Sequence, residues 1–173
     1  MTVPVIPTER LNLVPMTPTW ITALLDGQRP TDFSIPDAWP DEHDRAFLSI
    51  RLKDLQNGAP PDWLARSMVL LGTPVMVGHC GFHGPPNTGF AEIGYTVFEP
   101  HRRNGYAEES IRGLMSWALE THRHHRFRLS IAPDNEPSLR LAAKLGFAKV
   151  GEQIDPIDGL EHVFELELRD DHR

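Results

Sequence analysis

The chain of 173 residues is 40% hydrophobic and 24% charged, proportions that are typical of soluble globular proteins and fit one domain over residues 1–173. Its 24 acidic side chains outnumber the 17 lysine and arginine side chains, and the resulting formal charge of -7 argues against nonspecific nucleic-acid binding. Because no apolar run reaches the roughly 20 residues of a membrane span and no signal-peptide pattern begins the chain, we expect a cytoplasmic protein with no membrane partner.

The first third of the chain predicts one strand and two helices. The strand covers residues 10–14, and Thr17 followed by Pro18 is typical of a helix start, with Gly27 as the stop. After a proline-rich loop, apolar side chains recur at helical intervals over residues 41–56. We therefore expect two consecutive helices before the main run of strands.

Three extended segments follow the second helix. They cover roughly residues 63–71, 75–82 and 90–98, and short glycine- and proline-rich turns separate them. In the last segment apolar residues occupy every second position until Pro100, which cannot donate to a strand ladder. These segments predict an antiparallel meander.

The second half of the chain alternates helices and strands. A long helix is predicted from Gly105 to about His122, and the remaining elements are a strand at 127–131, a helix at 137–145 capped by Gly146, and strands at 148–155 and 161–168. Helices inserted between groups of strands predict an α/β fold. We expect a mixed, mostly antiparallel sheet of about seven strands with helices on both faces.

The turn between the fourth predicted strand and the third predicted helix is basic. Residues 101–105 read HRRNG, so cationic side chains and backbone N–H groups at a helix N-terminus surround a glycine that can adopt positive φ. This combination predicts an anion site, in particular one for phosphate groups. The alternative is a solvated basic turn, since strand-to-helix turns with one glycine are common.

Residues 102–107, RRNGYA, resemble the acyl-CoA pyrophosphate signature Gln/Arg-x-x-Gly-x-Gly/Ala of the GNAT superfamily of N-acetyltransferases, with Arg102, Gly105 and Ala107 at its fixed positions. The resemblance extends through TERLNLVPM, residues 8–16, and NEPSLRLAAKLGF, residues 135–147. The order of these segments is most similar to the ribosomal-protein alanine N-acetyltransferase-like branch, which acetylates α-amines and has relatives that modify small amines.

The resemblance implies a single-domain GNAT fold in which the fourth and fifth strands splay apart and admit the pantetheine arm of acetyl-CoA. It implies acetyl-CoA as cosubstrate and no metal. The cofactor-binding residues that it implies are Val97, Phe98, Arg102, Arg103, Asn104, Gly105, Tyr106, Ala107, Asn135 and Ser138. Of these, Tyr106 is expected to pack its ring against the core.

Acetylation needs a neutral amine, and a lysine-like amine with a pKa of about 10.4 is almost entirely protonated at pH 7. Glu92 is the first candidate base because it lies on the strand expected to line the acceptor cleft, and His79, His83 or a water molecule are the alternatives. Ala142 occupies the place of the family's usual tyrosine acid, so the resemblance assigns Ser138 as the acid. Asn135 and Ser138 could instead cap the short helix.

Three further features of the sequence give structural expectations. Cys80 is expected to be a small buried strand residue, because its neighbour His79 points to the opposite face of a strand. The HRHHR run at residues 122–126 lacks a spaced acidic or cysteine partner, so we expect no metal there. Trp39 and Trp63, together with Phe33, are either acceptor-pocket walls or core residues.

The leading functional prediction is an N-acetyltransferase that moves the acetyl group of acetyl-CoA to a primary amine by direct attack in a ternary complex. The amine belongs to a protein or peptide N-terminus or to a small molecule, and a homodimer is left open. The alternative is a catalytically silent acyl-CoA-binding module. A nucleotide-binding domain of Rossmann or P-loop type is disfavoured, because neither glycine motif follows a predicted strand.

Overall fold

Eight β-strands form one sheet in the computed structural model, which describes residues 3–86 and 88–169 of the predicted domain. The remaining residues of 1–173 lie outside this description. The strands are β1 (Ile6–Pro7), β2 (Leu11–Pro15), β3 (Ala65–Leu70), β4 (Met76–Phe82), β5 (Ala91–Val97), β6 (Arg126–Ile131), β7 (Ala148–Asp155) and β8 (Gly159–Glu167). Only the β5–β6 pair is parallel within the order β1-β2-β3-β4-β5-β6-β8-β7.

The seven predicted strands are all present, and β1 is an eighth strand that the sequence did not predict. It has two residues and pairs with β2 through Ile6 and Leu13. A two-residue strand is too short for any alternation of polar and apolar residues to show. The mixed, mostly antiparallel sheet is confirmed, with one more strand than expected.

Four helices pack against the sheet: α1 (Pro18–Leu25), α2 (Glu42–Gln56), α3 (Tyr106–His122) and α4 (Glu136–Leu145). Thr17 caps α1 by accepting the N–H of Trp20, and Asp41 forms a capping box with Asp44 at the start of α2. Gly146 closes α4 at φ 87°. None of the helices in the described part has the length and apolar character that crossing a membrane requires.

The helices cover both faces of the sheet. Ile21 of α1 and Leu48 of α2 are fully buried in one apolar cluster, and Ile111 and Leu114 of α3 are fully buried in a second, larger cluster. Burying each such side chain contributes on the order of 1.5–3 kcal/mol. The predicted arrangement of helices on both faces is therefore confirmed.

The predicted splay between the fourth and fifth strands is also confirmed, between the strands now numbered β5 and β6. These strands pair only at Ala91–Phe127 and Glu92–Arg128. The N–H of Phe98 donates to Val77 on β4, which shows that even-numbered residues of β5 bond to β4. Because backbone direction alternates along a strand, the backbone groups of Ile93, Tyr95 and Val97 point into the gap beside β6.

Candidate active site

The turn before α3 presents a row of backbone N–H groups. Arg103 at φ 63° and Gly105 at φ 81° both adopt left-handed backbone conformations. No described residue accepts the N–H groups of residues 103–105, and α3 begins at Tyr106, so its first N–H groups also lack intrahelical acceptors. This concave run of donors at a helix N-terminus is suited to an anion with several oxygens.

An ion pair from the N-terminal segment braces the turn, and the sequence analysis did not single it out. The Nε of Arg10 lies 2.8 Å from Oε2 of Glu109, and its Nη1 donates to the carbonyl oxygen of Asn104 at 2.9 Å. Thr8 Oγ1 also donates to Glu109 at 2.6 Å. Burial raises the pKa of Glu109, but the bonds from Thr8 and Arg10 outweigh it and hold that pKa below its ordinary value.

Arg10 and two further cations pair with the carboxylates in the first turn of α3. Arg10 pairs with Glu109, while Glu108 contacts both Arg112 and Lys144. Neutralised in this way, neither carboxylate opposes an anion at the turn. The Cζ atom of Arg10 lies over the Tyr106 ring, 4.9 Å from the ring centroid. Tyr106 packs against the larger core cluster, as expected.

Val97 and Phe98, both predicted to contact the cofactor, differ in what they can offer. The N–H of Phe98 donates to Val77 at 2.9 Å and its side chain is buried, so Phe98 has no free donor for the cofactor. The carbonyl oxygen of Val97 accepts a hydrogen bond from Nε of Arg102 at 3.1 Å. The N–H of Val97 points into the gap. Of these two residues, only Val97 therefore has a backbone donor that can contact the cofactor.

A cleft of about 410 Å³ opens where β5 and β6 separate. Residues 93–96 and 129–132 line it on the sheet side, and side chains of α2 and of the turn between β7 and β8 line it opposite. Four predicted site residues contribute to this lining, namely His79, His83, Asn135 and Ser138. The volume is in the range of small-molecule sites.

Glu92 lies one layer behind the cleft lining. Its Oε1 accepts a hydrogen bond from Ser130 Oγ at 2.6 Å and lies 3.6 Å from Nδ1 of His83. Ser130 and His83 both line the cleft. The His83 side chain is 46% exposed, but desolvation by the surrounding protein lowers its pKa, and the carboxylate of Glu92 opposes that shift. The two residues therefore form a histidine–carboxylate pair with the imidazole on the cleft side.

Glu161 on β8 is a site residue that the sequence analysis missed. It lines the cleft at 8% exposure, and its Oε2 accepts a hydrogen bond from Gln153 Nε2 at 2.9 Å. Gln153 also donates to Ser130 at 3.0 Å, which links Glu161 to the Glu92 pair. Burial raises the pKa of Glu161, and the nearby carboxylates of Asp155, Asp158 and Glu92 raise it further.

His79 contacts a different carboxylate from the one that His83 contacts. Its Nε2 is 3.4 Å from Oδ1 of Asp44, and its ring stacks on Phe47 at 5.1 Å. Burial raises the pKa of Asp44, but the contact with His79 outweighs it and leaves that pKa below its ordinary value.

Cys80 faces the opposite core cluster, where burial raises its pKa to about 12. The expectation that Cys80 is a small buried strand residue is confirmed.

The start of α4 brings Ser138 beside a tyrosine that the sequence analysis did not propose. Asn135 caps this helix, since its side-chain oxygen accepts the N–H of Ser138 at 3.3 Å. Burial raises the pKa of the Tyr95 phenol, and the neighbouring Ser138 hydroxyl opposes that shift. The phenol oxygen is buried and makes no hydrogen bond of standard geometry to a described residue. Tyr95 and Ser138 both line the cleft.

The three aromatic residues considered as pocket walls are core residues. Trp39 packs against Phe98 at 5.3 Å, Trp63 packs in the larger cluster, and Phe33 packs in the smaller one. The aromatic rings that line the cleft are instead Phe47 of α2 and, on the sheet, Phe82 and Tyr95. Within residues 3–86 and 88–169, no group of three or more His, Cys, Asp or Glu side chains is placed to hold a metal ion.

Comparison with known proteins agrees with this fold. The sequence model of the family described as "Acetyltransferase (GNAT) domain" matches residues 10–148. An uncharacterized N-acetyltransferase of Bacillus subtilis (strain 168), YoaA, is 38% identical over 80 residues, which are 46% of this chain and 45% of that protein. The chain spans about half the length of the curated relatives it matches.

Two solved structures superpose over nearly the whole chain. A GNAT-family acetyltransferase from Bacillus anthracis has a TM-score of 0.66 at 22% identity, covering 95% of this chain and 98% of its own. RimL, a ribosomal L7/L12 α-N-protein acetyltransferase solved in complex with coenzyme A, has a TM-score of 0.65 at 19% identity, covering 95% and 98%. These likenesses show the fold, and the match to the family model confirms the predicted family. The chain belongs to the family of GNAT acetyltransferase domains.

Proposed function

We propose that this chain transfers an acetyl group from acetyl-CoA to a primary amine. The observation that carries the proposal is the order of three features along β5: the cleft of about 410 Å³ at residues 93–96, the gap between β5 and β6 beside them, and the donors at the start of α3 after the strand ends. An elongated cosubstrate fits these features, with its phosphates at the donors of α3 and its reactive thioester at the cleft. RimL, which was solved with coenzyme A, shares the fold.

The residues present fit acetyl-CoA. The N–H groups of residues 103–107 are suited to its diphosphate, with the side chains of Arg102 and Arg103 beside them. The backbone groups of β5 that face the gap are suited to the amides of its pantetheine arm. The Asn135 side chain lines the far end of the path, near Ser138. When bound, acetyl-CoA supplies the acetyl group as an activated thioester.

His83 is the proposed proton acceptor for the attacking amine, with Glu92 as its partner. The lowered pKa of His83 keeps its imidazole neutral near pH 7, so that it can take a proton from an ammonium group in the cleft. Glu92, 3.6 Å away, then stabilises the imidazolium. Less than about one part in a thousand of a lysine-like amine is neutral at pH 7. Removal of the proton by His83 therefore raises the fraction of amine that can attack the thioester.

Ser138 and Tyr95 are the proposed proton donors for the departing thiol. Both residues line the cleft beside the gap, and the raised pKa of Tyr95 keeps its phenol protonated. A thiol has an ordinary pKa of about 8.5, so protonation aids its departure without being the most demanding step. The N–H of Val97 is the proposed donor to the carbonyl oxygen of the acetyl group.

Direct attack by the amine is favoured over a covalent acyl-enzyme. Cys80 faces the core on the other side of the sheet, and its pKa of about 12 leaves it protonated at neutral pH. The acceptor is either a protein or peptide N-terminus or a small-molecule amine. Initial rates should therefore vary with both substrates as in a sequential mechanism, and Cys80→Ala should leave the kinetic pattern unchanged.

Thermal shift followed by a thiol-release assay tests the proposed function. We expect acetyl-CoA to raise the melting temperature and an amine to cause release of free coenzyme A. Stabilisation by acetyl-CoA without thiol release from any amine, between pH 7 and pH 9, would identify the silent acyl-CoA-binding module instead. The absence of stabilisation by acetyl-CoA would exclude both functions.

A homodimer is a further proposal, and the free edge of the sheet supports it. β7 is the last strand of the sheet and leaves Val150 55% exposed and Ile154 74% exposed. Exposed apolar side chains on an edge strand favour association with another chain. Light scattering should give twice the mass of 19.5 kDa, and Ile154→Lys should restore the single-chain mass. A single-chain mass for the unaltered protein would contradict the proposal.

A further inference from the structure

The cleft opposite the sheet has a surplus of negative charge. Its lining includes the carboxylates of Asp44, Asp155, Asp158 and Glu161 and the guanidinium of Arg51. Arg51 is the one lysine or arginine in the described part of this lining, and its Nη2 is shared with Asp54 at 3.0 Å, so a single fixed cation faces four carboxylates. The histidines of the lining carry a positive charge only when they are protonated. Among the described residues, the fixed cations of the lining therefore do not balance the negative charge of its carboxylates.

Glu161 has no cationic partner among the described residues. Its side chain is more than nine-tenths buried, and its one hydrogen bond comes from the neutral amide of Gln153 to Oε2. No described residue donates to Oε1, and that oxygen is not among the solvent-inaccessible polar atoms. A buried carboxylate is costly unless a cation pairs with it. Its surroundings therefore favour a positively charged ligand.

The turn between β7 and β8 limits the size of that ligand. Asp158 in this turn lies 3.5 Å from Nε2 of His43 at the start of α2, so the two elements meet over the cleft. Ile157 from the same turn and Phe47 from α2 add apolar walls. A space of about 410 Å³ with this closure fits a short flexible chain better than an extended peptide.

We propose that the acceptor is a compact amine with a second positive charge, a diamine or polyamine, whose remote ammonium group pairs with Glu161. The proposal rests on the proposed acetyl transfer and names its substrate class. The reacting amine lies near His83 and Ser130, and Gln153 connects Ser130 with the distal carboxylate. A bound ammonium group relieves the repulsion between Glu161 and the carboxylates of the β7–β8 turn, which a monoamine of the same length does not do.

The test compares 1,4-diaminobutane with n-butylamine, which has the same carbon chain and one charge fewer. We expect kcat/KM for thiol release to be at least about tenfold higher for the diamine, the effect of one charge-assisted hydrogen bond. Glu161→Gln, which keeps the size of the side chain, should bring that ratio close to one. Glu167→Gln is the matched control, because Glu167 lies on the same strand with its side chain 63% exposed. That control should retain the full ratio.

Equal kcat/KM values for the two amines, or a ratio unaffected by Glu161→Gln, would overturn the proposal while leaving acetyl transfer standing. A strong preference for a peptide N-terminus over the diamine would overturn it in the same way. Calorimetric binding of 1,4-diaminobutane to the coenzyme A complex is a second readout, independent of turnover. Binding that Glu161→Gln abolishes supports the proposal even if thiol release, and with it the proposed function, fails. Absence of diamine binding, together with no thiol release from any amine, would overturn both.

Discussion

The substitution Gly105→Ala tests the turn that begins α3. Gly105 has φ 81° and ψ 7°, a left-handed conformation that costs a residue with a side chain about 1–2 kcal/mol. An added Cβ would also lie 3.3 Å from Nη2 of Arg10, the end of a side chain that can shift only by loosening its bonds to the turn. We therefore expect both a loss of stability and a change in the orientation of the N–H donors.

A matched control separates these two effects. Gly58, just past the end of α2, has φ 86°, and a Cβ there would meet nothing within 4 Å. Gly58→Ala should cost the same 1–2 kcal/mol, and for a chain of this length each variant should melt about 2–8 °C lower. Only Gly105→Ala should weaken coenzyme A binding, by at least about tenfold, because misaligned N–H groups lose charge-assisted hydrogen bonds.

Thermal denaturation and calorimetric titration with coenzyme A provide the two measurements. If Gly105→Ala loses stability like Gly58→Ala but binds coenzyme A as tightly as the unaltered protein, the turn does not hold the diphosphate. If Gly105→Ala loses no stability, the left-handed conformation at the start of α3 is incorrect.

Three further results are expected. Glu92→Gln should lower kcat/KM at pH 7 by roughly 10²-fold or more, and the deficit should shrink towards pH 9, where more of the amine is already neutral; a deficit that is constant with pH would contradict the role of the His83 pair. Ser138→Ala should lower kcat more than acetyl-CoA affinity, and the reverse pattern would leave Ser138 only a binding role. Because the pKa of Glu161 is raised on folding, its contribution to stability is present below the ordinary value of 4.5 and is lost as pH rises through the folded value. Glu161→Gln should therefore melt at a higher temperature than the unaltered protein at pH 7, and an equal or lower melting temperature would refute this account of the cleft charges.

The sequence predicted those features that depend on local patterns. Helix caps at Thr17 and Gly146, the alternation in β5 and the glycine of the α3 turn are all encoded in a few adjacent residues. Each has a physical cause that acts over one or two turns of chain, such as an unpaired N–H group or a positive φ. The family resemblance added the splay of the sheet, which no local pattern indicates.

The features that the sequence did not predict depend on contacts between distant residues. Arg10 reaches Asn104 across 94 positions, and Ser130 reaches Glu92 across 38. Strand alternation correctly makes Glu92 a polar residue on the cleft side, but only the packed sheet shows that Ser130 and His83 lie between it and the cleft. In sequence Glu161 is one more polar strand residue, and its burial depends on the packing of the β7–β8 hairpin, whose turn contacts His43 at the start of α2.

The central claim is that main-chain N–H groups at the start of α3 hold the diphosphate of acetyl-CoA. The most direct measurement is an amide NMR titration of the protein with coenzyme A. We predict that the N–H signals of residues 103–107 move most strongly to low field, as donors to phosphate oxygens do, and that residues 93–97 respond along the gap. Saturable coenzyme binding that leaves residues 103–107 unshifted, or no response of any residue at millimolar coenzyme, would contradict the claim.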